Sequence, residues 1–155
     1  MGRKAYISGL ATACALALPV VAAAQLPSGY KTPGATLKVN NTQVCAADFT
    51  SAAKPIAGWQ RTEALERYGM RPDGFSGDLD HLVPVALGGS NDPDNLWPFH
   101  AQGDFTLDAK NALAARLHDM VCAGKISLKD AQDAFKKDWT KAYRQHMTAL
   151  NAPGE

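Results

Sequence analysis

The sequence predicts an α+β fold in which a small strand–loop–strand unit is embedded in a mainly helical single domain. Apolar residues recur at helical spacing in the C-terminal third of the chain. A short stretch of strand-forming residues at 79–83 is separated from a second at 95–98 by a turn rich in Gly, Asn and Pro. A chain of 155 residues, less an N-terminal targeting segment, suffices for one domain with a modest core.

The first 24 residues have the pattern of a secretory signal peptide. Arg3 and Lys4 form a short basic region, and an uncharged, mostly apolar run follows over 5–21. Three alanines at 22–24 then supply small residues for cleavage before Gln25. The alternative, a membrane anchor, is disfavoured because the apolar run is short for a span and leads directly into the cleavage site. We therefore predict export to the periplasm or the medium.

The rest of the chain divides into three parts. We assign 25–48 to an N-terminal lead-in, 49–150 to the main domain and 151–155 to a fraying tail. The Pro-, Gly- and Ser-rich stretch 25–35 predicts that the lead-in begins as a mobile segment.

Signal cleavage changes the charge balance and the cysteine count. It removes two of the 16 basic residues, which leaves 14 against 15 acidic residues and a net charge of −1. Near-neutral charge gives no electrostatic argument for nucleic-acid binding, which usually accompanies a basic excess. Cleavage also removes Cys14, and in an exported chain the remaining Cys45 and Cys122 predict one intramolecular disulfide.

Two helices flank the strand–loop–strand unit. A short helix is predicted over 62–68, and Gly69 is placed to end it. Thr106 is placed to cap a second helix that runs to about Cys122. One buried face is predicted for that helix, formed by Leu113, Leu117, Met120 and Val121.

A third helix is predicted after Gly124. Ser127, with Asp130 three residues later, resembles a capping box at its start. Its apolar stripe is formed by Ala131, Phe135, Trp139 and Ala142. Core packing is the expected role of the aromatic residues on this helix.

Asp80 and His81 are the first candidates for chemistry. Neighbouring side chains on a strand point to opposite faces, so the pair can share one pocket only at a strand end or a bulge. There the carboxylate can bind a divalent cation and a neutral imidazole can take a proton from water. Asn95 would return beside His81 across the hairpin, where its amide could pin the loop, orient the imidazole or only cap its turn. These are the components of metal-assisted hydrolysis.

The stretch DHLVPVALGGSNDPDNLWP resembles the HNH motif of ββα-metal endonucleases, D-H-[IV]-x-P-x-x-x-G-G-x-x-x-x-x-N-L. The later stretch ALAARLHDMVCAGKISLKDAQDAFKKDWTKAY is similar to the C-terminal part of small exported bacterial HNH-like proteins. The resemblance covers about 59–143. The positions that match the motif are Asp80, His81, Pro84, Gly88, Gly89, Asn95 and Leu96.

The resemblance implies a ββα-metal (HNH/His-Me finger) unit and a secreted endonuclease that hydrolyses nucleic-acid phosphodiester bonds. His81 would be the general base, Asn95 the residue that supports it, and Asp80 a metal ligand. The family places a further His or Asn ligand at the start of the closing helix, at an offset that lands on Asp104 here. We expect Asp108 to serve first and Asp104 second, since Asp108 would sit in the first turn of the helix that Thr106 caps. Asn111 and His100 are alternatives for that position.

The expected cofactor is Mg²⁺ or Mn²⁺, with Zn²⁺ or Ni²⁺ as alternatives, and the expected substrate is nucleic acid, DNA rather than RNA. We expect a monomer with no membrane association after signal cleavage.

Two other functions stay open. One is a catalytically inactive, disulfide-stapled interaction module on the same fold. The other is a structural zinc protein that uses His81, His100 and a carboxylate, although that spacing is unlike zinc fingers.

Overall fold

The computed structural model describes residues 26–147, so the predicted signal peptide and the tail 151–155 lie outside the described residues. Within 26–147 no helix is both long and apolar enough to cross a membrane. The described chain is mixed helix and sheet, which confirms the α+β prediction at a coarse level. In chain order the elements are α1 (Asn41–Val44), α2 (Gly58–Arg67), β1 (Asp78–His81), β2 (Leu96–Phe99), α3 (Leu107–Cys122) and α4 (Leu128–Met147).

The two strands form an antiparallel pair, in which Asp80 lies opposite Trp97 and His81 opposite Leu96. The loop between them makes two short 3₁₀ turns, Val85–Leu87 and Pro93–Asn95. The predicted strand–loop–strand order is therefore confirmed. β1 begins one residue before the predicted stretch 79–83 and ends two residues before its end, and β2 is shifted by one residue from 95–98. β2 is buried along its whole length and forms a central part of the core.

Helix α3 begins and ends where the sequence predicted. The Thr106 hydroxyl accepts a hydrogen bond from the Ala109 amide at 3.1 Å, which satisfies one of the free donors of the first turn. Leu113, Leu117 and Val121 are at most 2% exposed. Helix α3 packs on α4 and on the turn Val85–Leu87. Lys110, near the start of α3, contacts the end of β1.

Helix α4 also follows its predicted stripe, since Ala131, Phe135, Trp139 and Ala142 are all buried. One feature was not predicted: the backbone of Asp138 is extended (φ −169°, ψ 94°) and interrupts the helix. Its carboxylate accepts hydrogen bonds from the backbone amides of Thr140 and Lys141, both at 3.0 Å. Asp138 therefore acts as the N-cap of the last helical segment.

Helix α2 begins at Gly58, four residues before the predicted start at Thr62. The Gln60 side-chain oxygen accepts a hydrogen bond from the Ala57 amide at 2.8 Å, which satisfies a donor at the start of the helix. Gly69 has a φ of 74°, a conformation that favours glycine, and stands just after the helix end as predicted.

Part of the lead-in packs against the rest of the fold. Thr32 is fully buried, and its hydroxyl donates to the Leu96 carbonyl at 3.1 Å. Val44 joins the core, and Cys45 forms a disulfide with Cys122 whose Cα atoms are 5.6 Å apart. β2 offers this segment a hydrogen bond and the end of α3 a covalent link, which its own composition does not reveal. The predicted disulfide is confirmed.

Candidate functional site

Asp80 and His81 lie at the end of β1, and together with Asn111 of α3 they line one cavity of about 320 Å³. Consecutive strand residues would normally face opposite ways. They share a cavity here because β1 ends at His81 and the chain turns towards Pro84, which also lines it. His81 is partly exposed, so solvent reaches the imidazole.

A buried lysine lies against this pair. The Lys110 ammonium is 2.8 Å from an Asp80 carboxylate oxygen and also donates to the His81 carbonyl at 2.5 Å. Its side chain is 2% exposed and that of Asp80 is 16% exposed. That carboxylate oxygen has no well-aligned hydrogen-bond donor in the described chain, so charge rather than hydrogen-bond direction holds the pair. Burial lowers the pKa of Lys110, and the Asp80 carboxylate opposes this shift.

His81 has a partner in the hairpin loop. Its Nε2 lies 2.7 Å from the side-chain oxygen of Asn91. The Asn91 amide nitrogen in turn donates to the Lys54 carbonyl at 2.8 Å. The imidazole is therefore connected, through one asparagine, to the segment that precedes α2.

Asn95 is fully buried and its side chain is bound to the loop backbone. Its oxygen accepts from the Val83 amide at 2.8 Å, while its nitrogen donates to the carbonyls of Val83 and Ser90 at 3.0 and 2.9 Å. These contacts fix the backbone of the loop, which is one of the roles that the sequence left open for Asn95. Asn95 makes no side-chain contact with His81 among the described hydrogen bonds; it supports the site by fixing the loop that leaves β1.

The two aspartates predicted as further metal ligands lie outside this cavity. Asp104 is exposed in the turn before α3, and Asp108 is exposed in the first turn of α3. Asp108 is three residues before Asn111 and so lies on a neighbouring part of the same helix surface. His100, the other alternative, is exposed just after β2. Of the four candidates for this position, the structure brings only Asn111 to the cavity of Asp80 and His81.

The cavity offers oxygen donors that suit a hard divalent cation, namely the Asp80 carboxylate and the Asn111 side-chain amide. Mg²⁺ is commonly held by only one or two carboxylates and keeps several waters, so a small protein donor set fits it. Lys110 restricts the fit, because one Asp80 oxygen already faces its ammonium. A cation here would therefore share the Asp80 carboxylate with Lys110.

A different group in the described chain could hold a metal ion. Cys45, His118 and Cys122 each offer one ligand atom, and these atoms lie within 4.8 Å of one another. The two sulfurs are joined in the disulfide, and His118 Nε2 lies 3.0 Å from the Val44 carbonyl. Zinc binds thiolate sulfur and imidazole, so this group could hold zinc only after the disulfide is reduced. This group stands at the far end of α3 from Lys110.

A second, larger cavity of about 1050 Å³ neighbours the first, and Val85 lines both. Its wall includes Asn91, the partner of His81, and the rings of Phe49 and Trp59. Trp59 is 63% exposed, although a large aromatic side chain normally gains free energy from burial. An exposed ring at the edge of a cavity offers a surface on which a planar ligand can stack.

The sequence analysis did not single out Lys110 or Asn91. A signal for Lys110 was present: it precedes Leu113 by three residues and Leu117 by seven, so it occupies a position of the buried stripe of α3. A lysine there needs a buried anion, and Asp80 is the partner. Asn91 gave no such signal, because asparagine is ordinary in a Gly- and Pro-rich turn.

Comparison with known proteins does not assign a family. No protein-family model, no curated protein and no solved structure matches the chain.

Proposed function

We propose that this protein is an exported, metal-dependent endonuclease of the HNH type that hydrolyses phosphodiester bonds, with His81 as the general base. The observation that carries the proposal is the shared cavity of Asp80, His81 and Asn111. A partly exposed imidazole beside hard oxygen donors is the minimum needed to activate water next to a bound phosphate. The disulfide supports the part of the proposal that concerns export, since disulfides persist in oxidising compartments.

In the proposed mechanism His81 takes a proton from a water molecule that attacks the phosphorus atom. Asp80 and Asn111 would hold a Mg²⁺ or Mn²⁺ ion, whose positive charge would stabilise the developing negative charge on the phosphate and the leaving oxygen. Lys110 holds the Asp80 carboxylate in place by charge and fixes the end of β1 through the His81 carbonyl. Asn95 keeps the loop folded back.

The larger cavity supports a nucleic-acid substrate despite the near-neutral charge of the chain. Trp59 and Phe49 present aromatic rings there, next to the loop residue that contacts His81. Stacking of a base on an aromatic ring contributes about 1–3 kcal/mol and does not need a basic surface. We propose that bases adjoining the scissile phosphate contact this cavity.

The test is digestion of plasmid DNA, and in parallel of single-stranded DNA and RNA, by the chain from Gln25 onward. Cleavage is expected with Mg²⁺ or Mn²⁺, and it should stop with a chelator or in His81→Ala. His146→Ala is the matched control, since His146 lines neither cavity, and it should keep full activity. Cleavage by His81→Ala equal to that of the unmodified protein would overturn the assignment of the base.

One observation favours a second function, a non-catalytic interaction module on the same fold. Lys110 already neutralises Asp80, so the site is electrostatically complete without a metal ion. Calorimetric titration with Mn²⁺, Ni²⁺ and Zn²⁺ separates the two functions. Binding that is lost in Asp80→Asn supports the nuclease; the absence of binding to all three ions supports the module.

A further inference from the structure

The contact between His81 and Asn91 determines which imidazole nitrogen carries the proton. His81 Nε2 lies 2.7 Å from Asn91 Oδ1, and Asn91 Nδ2 lies 2.8 Å from the Lys54 carbonyl oxygen. Both distances are those of well-formed hydrogen bonds. The three groups form a short series of hydrogen bonds that ends at the backbone carbonyl of Lys54.

The Lys54 carbonyl determines which group donates and which accepts in each of these hydrogen bonds. A backbone carbonyl can only accept a hydrogen bond, so the Asn91 group that faces Lys54 must be the NH₂. Rotating the amide by half a turn would put two oxygens against each other at Lys54. The Asn91 oxygen therefore faces His81, and because an amide oxygen also only accepts, Nε2 must donate. A neutral imidazole carries one N–H, so its lone pair is on Nδ1.

We propose that Asn91 is the positioning residue of His81: it holds the neutral ring as the Nε2–H tautomer and leaves Nδ1 as the basic nitrogen. Nδ1 has no hydrogen-bond partner among the described residues. It is therefore the nitrogen available to a water in the cavity. The tautomer stands independently of catalysis; its kinetic consequence rests on the proposed nuclease function.

This assignment separates the roles of two asparagines. The side chain of Asn95 is bound to Val83 and Ser90, so it fixes the backbone of the loop. Asn91 takes the other role that the sequence analysis had left open for Asn95, orientation of the imidazole. Because Asn91 is anchored on Lys54, the segment before α2 also contributes to the orientation of His81.

The test is a long-range ¹H–¹⁵N correlation spectrum of the uniformly labelled protein. It is recorded on the alkaline plateau, where the imidazole shifts no longer change with pH, and it distinguishes a protonated from an unprotonated ring nitrogen. We expect His81 with Nε2 protonated and Nδ1 bare. His118 is an internal control, because its Nε2 faces the Val44 carbonyl and must also donate.

Variants at position 91 then test whether Asn91 is what holds His81 in the Nε2–H tautomer. In Asn91→Leu, which has similar size and no acceptor, His81 should become a mixture of tautomers with a rapidly exchanging ring proton, while His118 keeps its spectrum. Asn91→Asp retains an acceptor for Nε2 but loses the donor to the Lys54 carbonyl, so it should restore the Nε2–H tautomer without the anchor on Lys54. If Asn91→Leu does not fold, Asn91→Ala replaces it. A protonated Nδ1 in the unmodified protein, or an unchanged His81 spectrum without the acceptor, would overturn the proposal.

Kinetics provide the second readout. Asn91→Leu should lower kcat about ten- to a hundredfold, as for other residues that orient a reacting imidazole, with KM within about twofold. Asn91→Asp, which keeps the acceptor but loses the donor to Lys54, should recover only part of kcat. Asn41→Leu, at an exposed position outside both cavities, should behave as the unmodified protein. Absence of nuclease activity in every variant would refute the proposed function but not the tautomer, which the spectra decide.

Discussion

The Lys110 ammonium lies 2.8 Å from the Asp80 carboxylate, and its side chain is almost fully buried. This ion pair joins α3 to the end of β1 directly beside His81. It places a cationic side chain of α3 at the candidate site, which the sequence of the hairpin alone does not reveal. Its energetic weight can be measured separately from any activity.

Removing Lys110 should leave Asp80 uncompensated. Lys110→Met is expected to lower the free energy of unfolding by about 3 kcal/mol, because a partly buried carboxylate loses its counter-charge. Adding Asp80→Asn to this variant should recover more than half of the loss, since the unpaired charge is then gone. Urea unfolding followed by fluorescence of the buried Trp97 and Trp139 measures both. Additive effects of the two changes would show that the pair is not coupled.

The second oxygen donor of the cavity, beside Asp80, can be identified by metal affinity. Asn111→Ala should weaken Mn²⁺ binding about tenfold or more, because Asn111 lines the cavity with Asp80. Asp104→Ala and Asp108→Ala should stay within about twofold, as both lie outside it. Calorimetric titration supplies the affinities. Loss of binding in Asp108→Ala with retention in Asn111→Ala would restore the ligand that the sequence favoured.

Trp59 should affect substrate binding more than chemistry. Trp59→Ala is expected to raise KM about tenfold with kcat little changed, since one stacking contact contributes about 1–3 kcal/mol. Trp59→Phe keeps an aromatic ring and should keep most of the affinity. Steady-state cleavage of a short single-stranded oligonucleotide measures both constants. An unchanged KM in Trp59→Ala would show that the substrate does not stack on Trp59 in the larger cavity.

Gly89 holds the loop close to β1. A Cβ at Gly89 would lie 1.8 Å from the Val83 carbonyl oxygen and 2.9 Å from Asn95 Nδ2. Gly89→Ala should therefore destabilise the fold by about 3 kcal/mol and separate the loop from the strand end. Gly58→Ala is the matched control, because nothing lies within 4 Å of its added Cβ. Equal unfolding midpoints for the two variants would contradict this account.

Asp138 should make the free energy of unfolding depend on pH in the acid range. Partial burial favours a raised pKa, but hydrogen bonds from the Lys141 amide and from the Thr140 hydroxyl and amide outweigh it, and the net pKa is lowered. A carboxylate with a lowered pKa contributes stability that is present above its unfolded pKa of about 3.9 and lost as pH falls through the folded value.

Asp138→Ala should accordingly cost about 1 kcal/mol near neutral pH through loss of the cap, and the difference should shrink below about pH 4. Asp138→Asn keeps an acceptor without a titrating group, so it should remain capped with a weaker acid dependence. Unfolding curves at several pH values measure these differences. A gap between Asp138→Ala and the unmodified protein that widens in acid would be inconsistent with the lowered pKa.

Local patterns predicted the C-terminal helices well because their information lies within a few residues. Thr106 and Ser127 cap the helices that they were expected to cap, and the apolar stripe with Trp139 is buried. The break at Asp138 escaped prediction, since an isolated aspartate in a periodic stretch is also compatible with an unbroken helix.

By itself, the sequence determined the α+β class, the strand–loop–strand order and the disulfide pair. Each depends on spacing or on residue chemistry that the chain carries locally. Only the tertiary structure decided that Lys110 neutralises Asp80, that Asn91 holds His81, and that Asn111 is the candidate further ligand at the cavity. Those contacts join separate elements, and their existence depends on how α3 and the hairpin loop pack rather than on any pattern within either one.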